Sequence, residues 1–458
     1  MTDPVVFEAA DARPVHVVNA AGFEAWAAQQ PAAWRRWLES TGFKAKPQAA
    51  TLLPGEDGAA AAVLVVGAPA EAWDAGALQA ALPAGAWRLK DPASLLAAEE
   101  AAYGFALASY RFERYRRDER PQPQLVVDRS AGTERALCLA AAVATARDLV
   151  NTPANDMGPA ELQEAAERIA AAGGARCTTI TGEDLLAQNY PTIHAVGRAS
   201  DRAPRLIEIL WGDADAPRLT LVGKGVCFDT GGLDIKPPAG MLLMKKDMGG
   251  AALMLGLAQA IMARGLPVRL RVLIPAVENS IAGAAFRPGD VLRTRKGLTV
   301  EVGNTDAEGR LILCDALADA DAEEPALLVD AATLTGAARV AVGPDVPALF
   351  SDDEELAAAI LEAGKACAEP LWRLPMHAPY KRYLKSGVAD LNNVGSKPFA
   401  GATTAALFLK EFVSATRSWA HLDISAWNDE AQPGRPRGGE ASGLRPLFTM
   451  IERRFGGA

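Results

Sequence analysis

EVGNTDAEGRLILCDALADA, residues 301–320, joins an alternating apolar run to an all-apolar one through a loop crowded with charge. The apolar half is typical of a buried or amphipathic helix. Thr305 followed three residues later by Glu308 matches a capping box, in which both side chains satisfy free N–H groups at a helix start. On this stretch alone we interpret the polar loop as a helix cap. The alternative is that Asp306, Glu308 and Arg310 hold a ligand, and the rest of the chain decides between the two.

Strand-like and helical segments alternate on both sides of this loop. The alternation predicts an α/β fold with a mostly parallel central sheet and helices on both of its faces. Short apolar runs mark the strands, and longer runs with helical periodicity mark the helices. The predicted strands are 205–212, 219–225, 268–278, 297–303, 325–334 and 419–425, and the predicted helices are 135–151, 250–265, 404–413 and the one that follows the polar loop.

The length of the chain predicts more than one domain. The chain has 458 residues, half of them hydrophobic, which exceeds what one core usually supports. Residues 1–130 are rich in alanine and short apolar runs, and we expect a smaller N-terminal α/β domain there. The charged, proline-bearing stretch 115–124 marks a boundary. We therefore predict a linker helix over 131–150 and a larger second domain over 151–458.

Composition excludes several classes of partner and site. The formal net charge of −9 implies no generic basic surface for nucleic acid or an anionic membrane. The N-terminus does not resemble a signal peptide and no apolar run reaches about 18 residues, so we expect a cytoplasmic protein without a membrane partner. The five cysteines and four histidines are scattered, without CxxC or HExxH patterns. We therefore predict neither a disulfide framework nor a thiolate-rich or histidine-rich metal site.

Three charged loops are predicted to meet at one end of the sheet. Sites in open α/β sheets form beyond the carboxyl ends of the strands, and these loops lie at such ends or directly before a helix. Carboxylates and cations are expected to converge there. They are Asp229, Asp247, Asp306 and Glu308, together with Lys224, Lys236 and Arg310.

Each of these residues also has a purely structural interpretation. Asp247 could cap the helix that begins near Gly249, and Asp229 could belong to a plain turn. Lys236 precedes two prolines and could be solvated. Lys224 between two glycines resembles a phosphate cradle, yet the spacing GxxxxGK[ST] is absent, which argues against nucleotide binding. The structural interpretation is favoured for each residue alone and weakens when all of them share one sheet end.

Electrostatics favours a metal site at this end of the sheet. Several carboxylates in one pocket repel each other, so each needs a raised pKa or a counter-charge. Two divalent cations would balance four carboxylates, and oxygen ligands suit Mg²⁺, Mn²⁺ and Zn²⁺. Two such ions a few ångströms apart can share a bridging hydroxide as the nucleophile and hold both ends of a reacting group.

Four blocks of the sequence resemble those of one known family. They are VGKGVCFDTGGLDIKP (222–237), MKKDMGGAA (244–252), NTDAEGRLILCDAL (304–317) and DAATLTGAA (330–338). In this order and spacing they resemble the leucine aminopeptidase (cytosol aminopeptidase) family of metallopeptidases, over about residues 130–458. The resemblance implies a metal-dependent aminopeptidase that releases N-terminal amino acids, leucine-like but of broad range, from peptides. For the first 130 residues it implies a macro-like α/β fold.

The resemblance implies two divalent metal ions per subunit, either Mn²⁺ or Zn²⁺, with Mg²⁺ as a further option. Asp229 and Glu308 would bridge the two ions. Lys224 and Asp247 would complete the more loosely held site, and Asp306 would complete the other with its carboxylate and its main-chain carbonyl. Lys224 must then bind as a neutral amine, so the neighbouring cation has to depress its pKa.

The resemblance also implies the catalytic and substrate-binding residues. A metal-bridging hydroxide would attack the scissile carbonyl, and Lys236 would polarise that carbonyl and steady the developing oxyanion. Arg310 would hold a bicarbonate ion that relays protons as a general base. The carbonyl of Leu334 would anchor an amine or amide proton of the transition state. The residues expected to line the pocket for the first side chain are Met244, Asn304, Thr333 and Gly336.

The resemblance further implies a homohexamer, a dimer of trimers, acting on peptide substrates. Two other functions stay open at this point: a Cys-Gly-type dipeptidase, and a DNA-binding or architectural role added to the peptidase fold. The negative net charge of the chain argues weakly against the DNA-binding role, and we expect no nucleic-acid partner. Asp234 is a departure, because relatives often have serine there. Its carboxylate either alters the metal preference or belongs to the surface.

Overall fold

The computed structural model describes residues 3–56 and 58–457. It divides into two compact units, Met1–Ala144 with Asp429–Arg437 and Thr145–Asn428 with Gly438–Ala458. The chain therefore leaves the second unit for a short segment near its C-terminus. The domain boundaries predicted at residues 130 and 150 stay a prediction.

The first unit is built on one mixed sheet. Its described strands are β1 (Val5–Val6), β2 (Arg13–Asn19), β3 (Ala49–Gly55), β4 (Gly58–Val66), β5 (Gly85–Lys90) and β6 (Pro123–Val126), and its described helices are α1 (Phe23–Ala28), α2 (Ala32–Ser40), α3 (Ala72–Gly76), α4 (Leu78–Ala81) and α5 (Ala98–Ala108). The sheet order is β1-β6-β5-β2-β4-β3, and every pair is parallel except β3 with β4. The end of β4 is buried from Ala61 to Val66, as expected for an apolar strand covered on both faces.

The helices of the second unit follow α6 (Ala131–Asn151), which leads into it from the first unit. They are α7 (Pro159–Gly173), α8 (Asp184–Ala187), α9 (Pro191–Gly197), α10 (Pro238–Met241), α11 (Gly249–Ala263), α12 (Gly309–Asp321), α13 (Gly336–Val342), α14 (Glu354–Ala366), α15 (Gly401–Lys410), α16 (Leu444–Phe455) and two 3₁₀ helices, Met244–Met248 and Ala378–Leu384. Over the described part of the chain, no helix combines the length and the apolar character needed to cross a membrane.

The strands of the second unit form one large sheet and two small ones. They are β7 (Arg176–Thr181), β8 (Arg205–Trp211), β9 (Arg218–Gly223), β10 (Gly225–Asp229), β11 (Arg269–Asn279), β12 (Val291–Arg293), β13 (Thr299–Glu301), β14 (Leu327–Ala332), β15 (Ala348–Phe350), β16 (Trp372–Arg373), β17 (Leu391–Asn392), β18 (Trp419–Asp423), β19 (Trp427–Asn428) and β20 (Gly438–Gly439). The large sheet has the order β16-β15-β18-β14-β9-β11-β8-β7, with β10 also paired to β11.

The centre of the large sheet is parallel, which confirms the predicted fold class. β18, β14, β9 and β11 run in the same direction, and β10 joins β11 in parallel. Antiparallel pairs lie toward the edges, at β15 with β18 and at β8 with β11 and β7. Mixed sheets commonly carry antiparallel strands outside a parallel centre. The predicted strand at 205–212 forms β8 and therefore belongs to the antiparallel part.

Gly250 lets α11 approach the sheet closely. A Cβ atom on Gly250 would lie 2.1 Å from the carbonyl oxygen of Ala331 in β14. Since real Cβ atoms do not approach backbone oxygen so closely, only glycine permits this helix position. The 3₁₀ helix Met244–Met248 precedes α11 directly. The close packing thus places that short helix at the carboxyl end of the parallel strands.

Candidate metal centre

The predicted site residues come from separate segments of the second unit. Lys224 lies between β9 and β10, and Asp229 is the last residue of β10. Asp247 belongs to the 3₁₀ helix Met244–Met248, and Thr333 follows β14 directly. The charged loop that opened the sequence analysis lies between β13 and α12. The parallel strands bring Lys224, Asp229 and Thr333 to one edge of the large sheet, as predicted. The prediction is wrong for the charged loop, because β13 belongs to the small sheet β12-β13-β17.

The structure brings the predicted carboxylates together. Asp229, Asp306 and Glu308 each offer an oxygen, and these oxygens all lie within 4.8 Å of one another. The fourth carboxylate, Asp247, joins them through Lys224. The Lys224 Nζ atom is 2.8 Å from Asp247 Oδ2 and 2.9 Å from Glu308 Oε1. Four acids from three separate segments of the chain therefore lie close together.

Lys224 is buried among these acids. Its Nζ atom also donates to the main-chain carbonyl of Thr333, at 3.0 Å. Burial lowers the pKa of this lysine, but the carboxylates of Asp247, Glu308 and Asp229 raise it more, so that it lies above its ordinary value. Without a cation the ammonium group is thus the counter-charge of the acids. A metal ion would take over that role and would favour the neutral amine.

The surroundings of Glu308 and Asp306 disfavour the charged forms of these two carboxylates. Glu308 is 1% exposed, and its Oε2 atom has no hydrogen-bond partner among the described residues. Burial, and then the Asp229 carboxylate, raise the pKa of Glu308 to about 8. The same two causes raise the pKa of the partly exposed Asp306 to about 6. A buried oxygen without a partner, beside further acids, fits a divalent cation held by oxygen ligands.

Lys236 contacts two of the site acids. Its Nζ atom is 2.8 Å from Asp229 Oδ2 and also contacts Asp306 Oδ1. The other oxygen of Asp229 accepts hydrogen bonds from the Gly231 amide and from Asn279 Nδ2, both at 2.9 Å. Burial lowers the pKa of Lys236, but these carboxylates raise it further, so the pKa lies above the ordinary value. The interpretation of Lys236 as a solvated residue is wrong, because two site acids hold it.

Arg310 is a buried cation in the first turn of α12. One of its terminal nitrogens donates to the carbonyl of Asn393 at 2.7 Å, and its Nε atom has no hydrogen-bond partner among the described residues. Burial lowers the pKa of the guanidinium to about 10, and Glu308 opposes this shift. The group therefore remains charged at neutral pH with a free N–H donor. That arrangement fits a small anion.

The five residues predicted to bind substrate lie on the same loops or at their ends. The Thr333 hydroxyl donates to Asp247 Oδ1 at 2.6 Å, and Asn304 Oδ1 accepts from the Asp306 amide at 2.7 Å. The Leu334 amide donates to Asp423 Oδ1 at 3.0 Å. Met244 begins the 3₁₀ helix that carries Asp247, and Gly336 begins α13. The substrate contacts of these five residues stay predictions.

The predicted capping roles are wrong. The residue that precedes α12 is Glu308, and it makes no side-chain cap. The Thr305 hydroxyl instead donates to the Gly231 carbonyl at 2.6 Å, and the Glu308 carboxylate faces Lys224. Asp247 does not cap α11 either, because its carboxylate accepts the Thr333 hydroxyl. In both places the contacts between loops use the groups that a local cap would need.

Asparagine and aspartate residues that hold the loops were not predicted. The Asn393 side chain accepts from the Gly303 amide at 2.7 Å and donates to the Asn304 carbonyl at 2.7 Å. Asn279 joins Asp229 to the Thr305 carbonyl, and Asp423 accepts from two successive amides after β14. Asn279 and Asp423 end strands in the same way as Asp229, a pattern that could have marked them.

The fold and the acid-rich centre define an α/β metalloenzyme. The model of the cytosol aminopeptidase family catalytic domain matches residues 144–448, and that of the M17 aminopeptidase N-terminal domain matches residues 13–128. The chain therefore belongs to the cytosol aminopeptidase family.

Relatives along most of the chain agree with this family. A probable cytosol aminopeptidase from Syntrophotalea carbinolica is 43% identical over 76% of this chain and 74% of its own length. Peptidase B from Cronobacter sakazakii is 47% identical over 67% of this chain and 74% of its own. The crystal structure of cytosol aminopeptidase from Coxiella burnetii superposes with a TM-score of 0.94, at 46% identity, covering 99% of this chain and 100% of that one.

The bottromycin maturation enzyme BotP, solved in complex with Mn, superposes with a TM-score of 0.88 at 34% identity, covering 99% of this chain and 100% of that one. Family and site together establish the activity. The protein is a metal-dependent aminopeptidase, a hydrolase that releases N-terminal amino acids from peptides. The comparisons give no support to the Cys-Gly dipeptidase or the DNA-binding alternative.

We expect the affinity of the metal-free protein for Mn²⁺ to rise as the pH increases from about 6 to 8. Because its pKa is about 8, the Glu308 carboxyl is largely protonated below that pH, and a bound cation must displace the proton. The raised pKa stabilises the metal-free fold at low pH, and this contribution is lost as the pH rises through about 8. Displacement of the Glu308 proton alone predicts about tenfold tighter binding per pH unit, and loss of the Lys224 proton on metal binding would steepen this dependence.

Titration calorimetry in two buffers of different ionisation enthalpy measures this linkage directly. Proton release on Mn²⁺ binding at pH 7, with a smaller release at pH 9, is the expected result. An affinity that does not change with pH over this range would mean that the Glu308 proton is not displaced.

Proposed function

We propose that the chain uses this centre to hold two divalent ions and that the ions carry its aminopeptidase activity. One observation supports two ions above all. Lys224 contacts Asp247 and Glu308. Asp229, Asp306 and Glu308 form a triad of oxygens that shares only Glu308 with these contacts. In this proposal Asp229 and Glu308 are shared by both ions.

The proposed ligands divide into two sets around the shared acids. Lys224 and Asp247 would hold one ion, and Asp306 would hold the other with its carboxylate and its main-chain carbonyl. Carboxylate oxygens with one amine nitrogen suit Mn²⁺ and Zn²⁺, and Mg²⁺ less well because it avoids nitrogen. When bound, the ions supply Lewis-acid activation of a water molecule and of the scissile carbonyl.

The protein's own cations assist at that carbonyl. Lys236 is held beside Asp229 and Asp306, so its ammonium group lies at the edge of the triad of oxygens. Metal ions bound by those acids would release the ammonium to donate to the substrate carbonyl, where negative charge develops in the transition state. The Leu334 carbonyl would accept a hydrogen bond from an amine or amide N–H group of the bound peptide. Met244, Asn304, Thr333 and Gly336 would surround the first side chain.

Arg310 is proposed to hold a bicarbonate ion. Support comes from its charge, its burial and its Nε donor, which has no described partner. Bicarbonate would supply a base close to the centre, a function that no histidine among the site residues provides. An apolar pocket discriminates between side chains by only about tenfold to 200-fold per methylene, so a broad preference for leucine-like residues is expected.

Assembly and location are also proposals. By analogy with the family, the chain forms a homohexamer, a dimer of trimers, in the cytoplasm. Residues 1–130 would be the N-terminal domain and residues 151–458 the catalytic domain, joined by the helix 131–150. The match of separate family models to residues 13–128 and 144–448 supports this division.

Metal stoichiometry tests the proposed centre. Protein stripped with EDTA and reloaded with Mn²⁺ is expected to bind two ions per chain, with unequal affinities, and to recover release of an N-terminal leucine reporter. Inductively coupled plasma mass spectrometry gives the count, and light scattering on the same sample gives the oligomer. Full activity with a single ion per chain would refute the two-ion assignment.

A further inference from the structure

A closed set of hydrogen bonds joins the two loops that carry most of the centre. One loop covers residues 229–236 and the other covers residues 304–308. The Thr305 amide donates to Asp234 Oδ2 at 2.8 Å, and the Asp234 amide donates to Thr305 Oγ1 at 2.8 Å. The Thr305 hydroxyl donates to the Gly231 carbonyl at 2.6 Å. We name Gly231, Asp234 and Thr305 the Thr305 latch.

The latch joins a buried threonine to an exposed segment of the chain. Thr305 is fully buried, and its carbonyl accepts a further hydrogen bond from Asn279 Nδ2 at 3.1 Å, so all of its polar groups have partners. Asp234 lies on a segment that faces solvent, because its neighbours Leu233 and Ile235 are 43% and 59% exposed. The Asp234 contacts with Thr305 therefore anchor an otherwise exposed stretch.

Glycine is required where the first loop turns. Gly231 and Gly232 have φ angles of +87° and +65°, a region that residues with a Cβ atom rarely adopt. A Cβ atom on Gly231 would also lie 2.6 Å from the Asp234 carbonyl, and one on Gly232 would lie 3.0 Å from the Thr305 Cβ atom. The tight turn thus brings the backbone of the first loop directly against Thr305.

The latch differs from the ion pairs that also connect these loops. The Lys236 contacts to Asp229 and Asp306 use carboxylate oxygens that the proposed metal ions need. Bound cations would weaken those ion pairs. The latch uses none of the proposed ligand atoms, so it would persist when the centre is loaded.

We infer that Thr305 and Asp234 are positioning residues that keep Lys236 in register with Asp306 and Glu308 while the metal ions are bound. This inference rests on the proposed function of Lys236 at the substrate carbonyl. Lys236 is two residues beyond Asp234, and Asp306 directly follows Thr305. The latch therefore fixes the backbone next to both Lys236 and Asp306. Neither residue belongs to the proposed metal or substrate ligands, so each would act through its neighbours.

The substitution Thr305→Val tests the latch without changing charge or size. It leaves the Asp234 amide and the Gly231 carbonyl without their shared hydroxyl. We expect kcat to fall about 10-fold to 100-fold, since displacing a catalytic group by about 1 Å has effects of this size. KM and the Mn²⁺ content are expected to stay near those of the parent, and Thr305→Ser is expected to recover most of the rate.

Thr133→Val is the matched control. Thr133 is fully buried in the first unit, and its hydroxyl accepts from the Ser130 amide and donates to the Asp128 carbonyl. It should lower the melting temperature about as much as Thr305→Val but leave kcat unchanged. If Thr305→Val fails to fold, Asp234→Ala on the exposed segment removes the acceptor of the Thr305 amide and should show the same loss of kcat.

Combining Thr305→Val with Lys236→Ala separates the latch from the proposed function. If the latch acts through Lys236, the double variant is no slower than Lys236→Ala alone. A parent rate in Thr305→Val, loss of Mn²⁺ together with rate, or additive losses in the double variant would each overturn the inference. A parent rate in Lys236→Ala would instead refute the proposed role of Lys236. A slow Lys236→Ala beside a fast Thr305→Val would refute the latch alone.

Discussion

Replacing Glu308 with glutamine is expected to lower kcat/KM by about 10³-fold or more, because the variant loses its metal ions and with them the activation of water. Glu308 belongs both to the triad of oxygens and to the ion pairs of Lys224. Its oxygens lie within 4.8 Å of those of Asp229 and Asp306, and Oε1 is 2.9 Å from Lys224. Glutamine keeps the size of the side chain and removes the charge that a cation needs.

The same substitution should leave the metal-free fold intact. Burial raises the pKa of Glu308 to about 8, so the metal-free protein already holds this carboxyl in its neutral form at pH 7. A neutral amide therefore costs little there. Steady-state turnover of a leucine reporter measures the effect, and thermal unfolding of EDTA-treated samples measures the fold. Glu208→Gln is the control and should retain parent turnover. It alters an acid of β8 that is paired with Arg271 of β11.

Replacing Lys236 with alanine is expected to lower kcat by about 10² to 10³, the usual cost of removing one donor to a developing oxyanion. Metal content should not fall. The ammonium group of Lys236 contacts Asp229 and Asp306, so it competes with cations for these oxygens, and its removal frees them. Tighter Mn²⁺ binding with slower turnover is thus the expected combination, which a simple loss of structure would not produce.

Parallel measurements of kcat and of the Mn²⁺ dissociation constant test this pair of expectations. Lys44→Ala, at an exposed position of the first unit, is the control for the loss of a lysine. Parent turnover in Lys236→Ala would remove this residue from the reaction. Slow turnover caused by weaker metal binding would make it a structural support of the centre.

The parallel centre of the sheet was predictable because its strands are apolar and helices lie between them along the chain. β14, LLVDAA, is buried at every position, as a strand covered on both faces should be. The antiparallel placement of β8 was not predictable. RLIEILW alternates in the same way whichever direction its neighbour runs, and only the connections determine the pairing.

The charged residues of the site were predictable from the sequence, whereas the asparagines that hold its loops were not. Lys224 and Asp229 adjoin apolar strand-like runs, and Glu308 lies between a strand-like run and a helical one, so all three were predicted at one end of the sheet. Asn279 and Asn393 are common loop residues, and nothing local shows that they hold catalytic loops. The capping box at Thr305 and Glu308 failed for the opposite reason. A local rule was satisfied in the sequence, but contacts distant along the chain took both side chains.

The central claim is that acids distant in sequence bind metal ions together, and the metal content of Glu308→Gln beside the parent tests it most directly. Both proteins are stripped, reloaded with Mn²⁺, freed of excess metal and counted by inductively coupled plasma mass spectrometry. The parent should retain two ions per chain, and the folded variant should retain fewer than one. A folded variant that holds as much Mn²⁺ as the parent would show that the ions bind elsewhere.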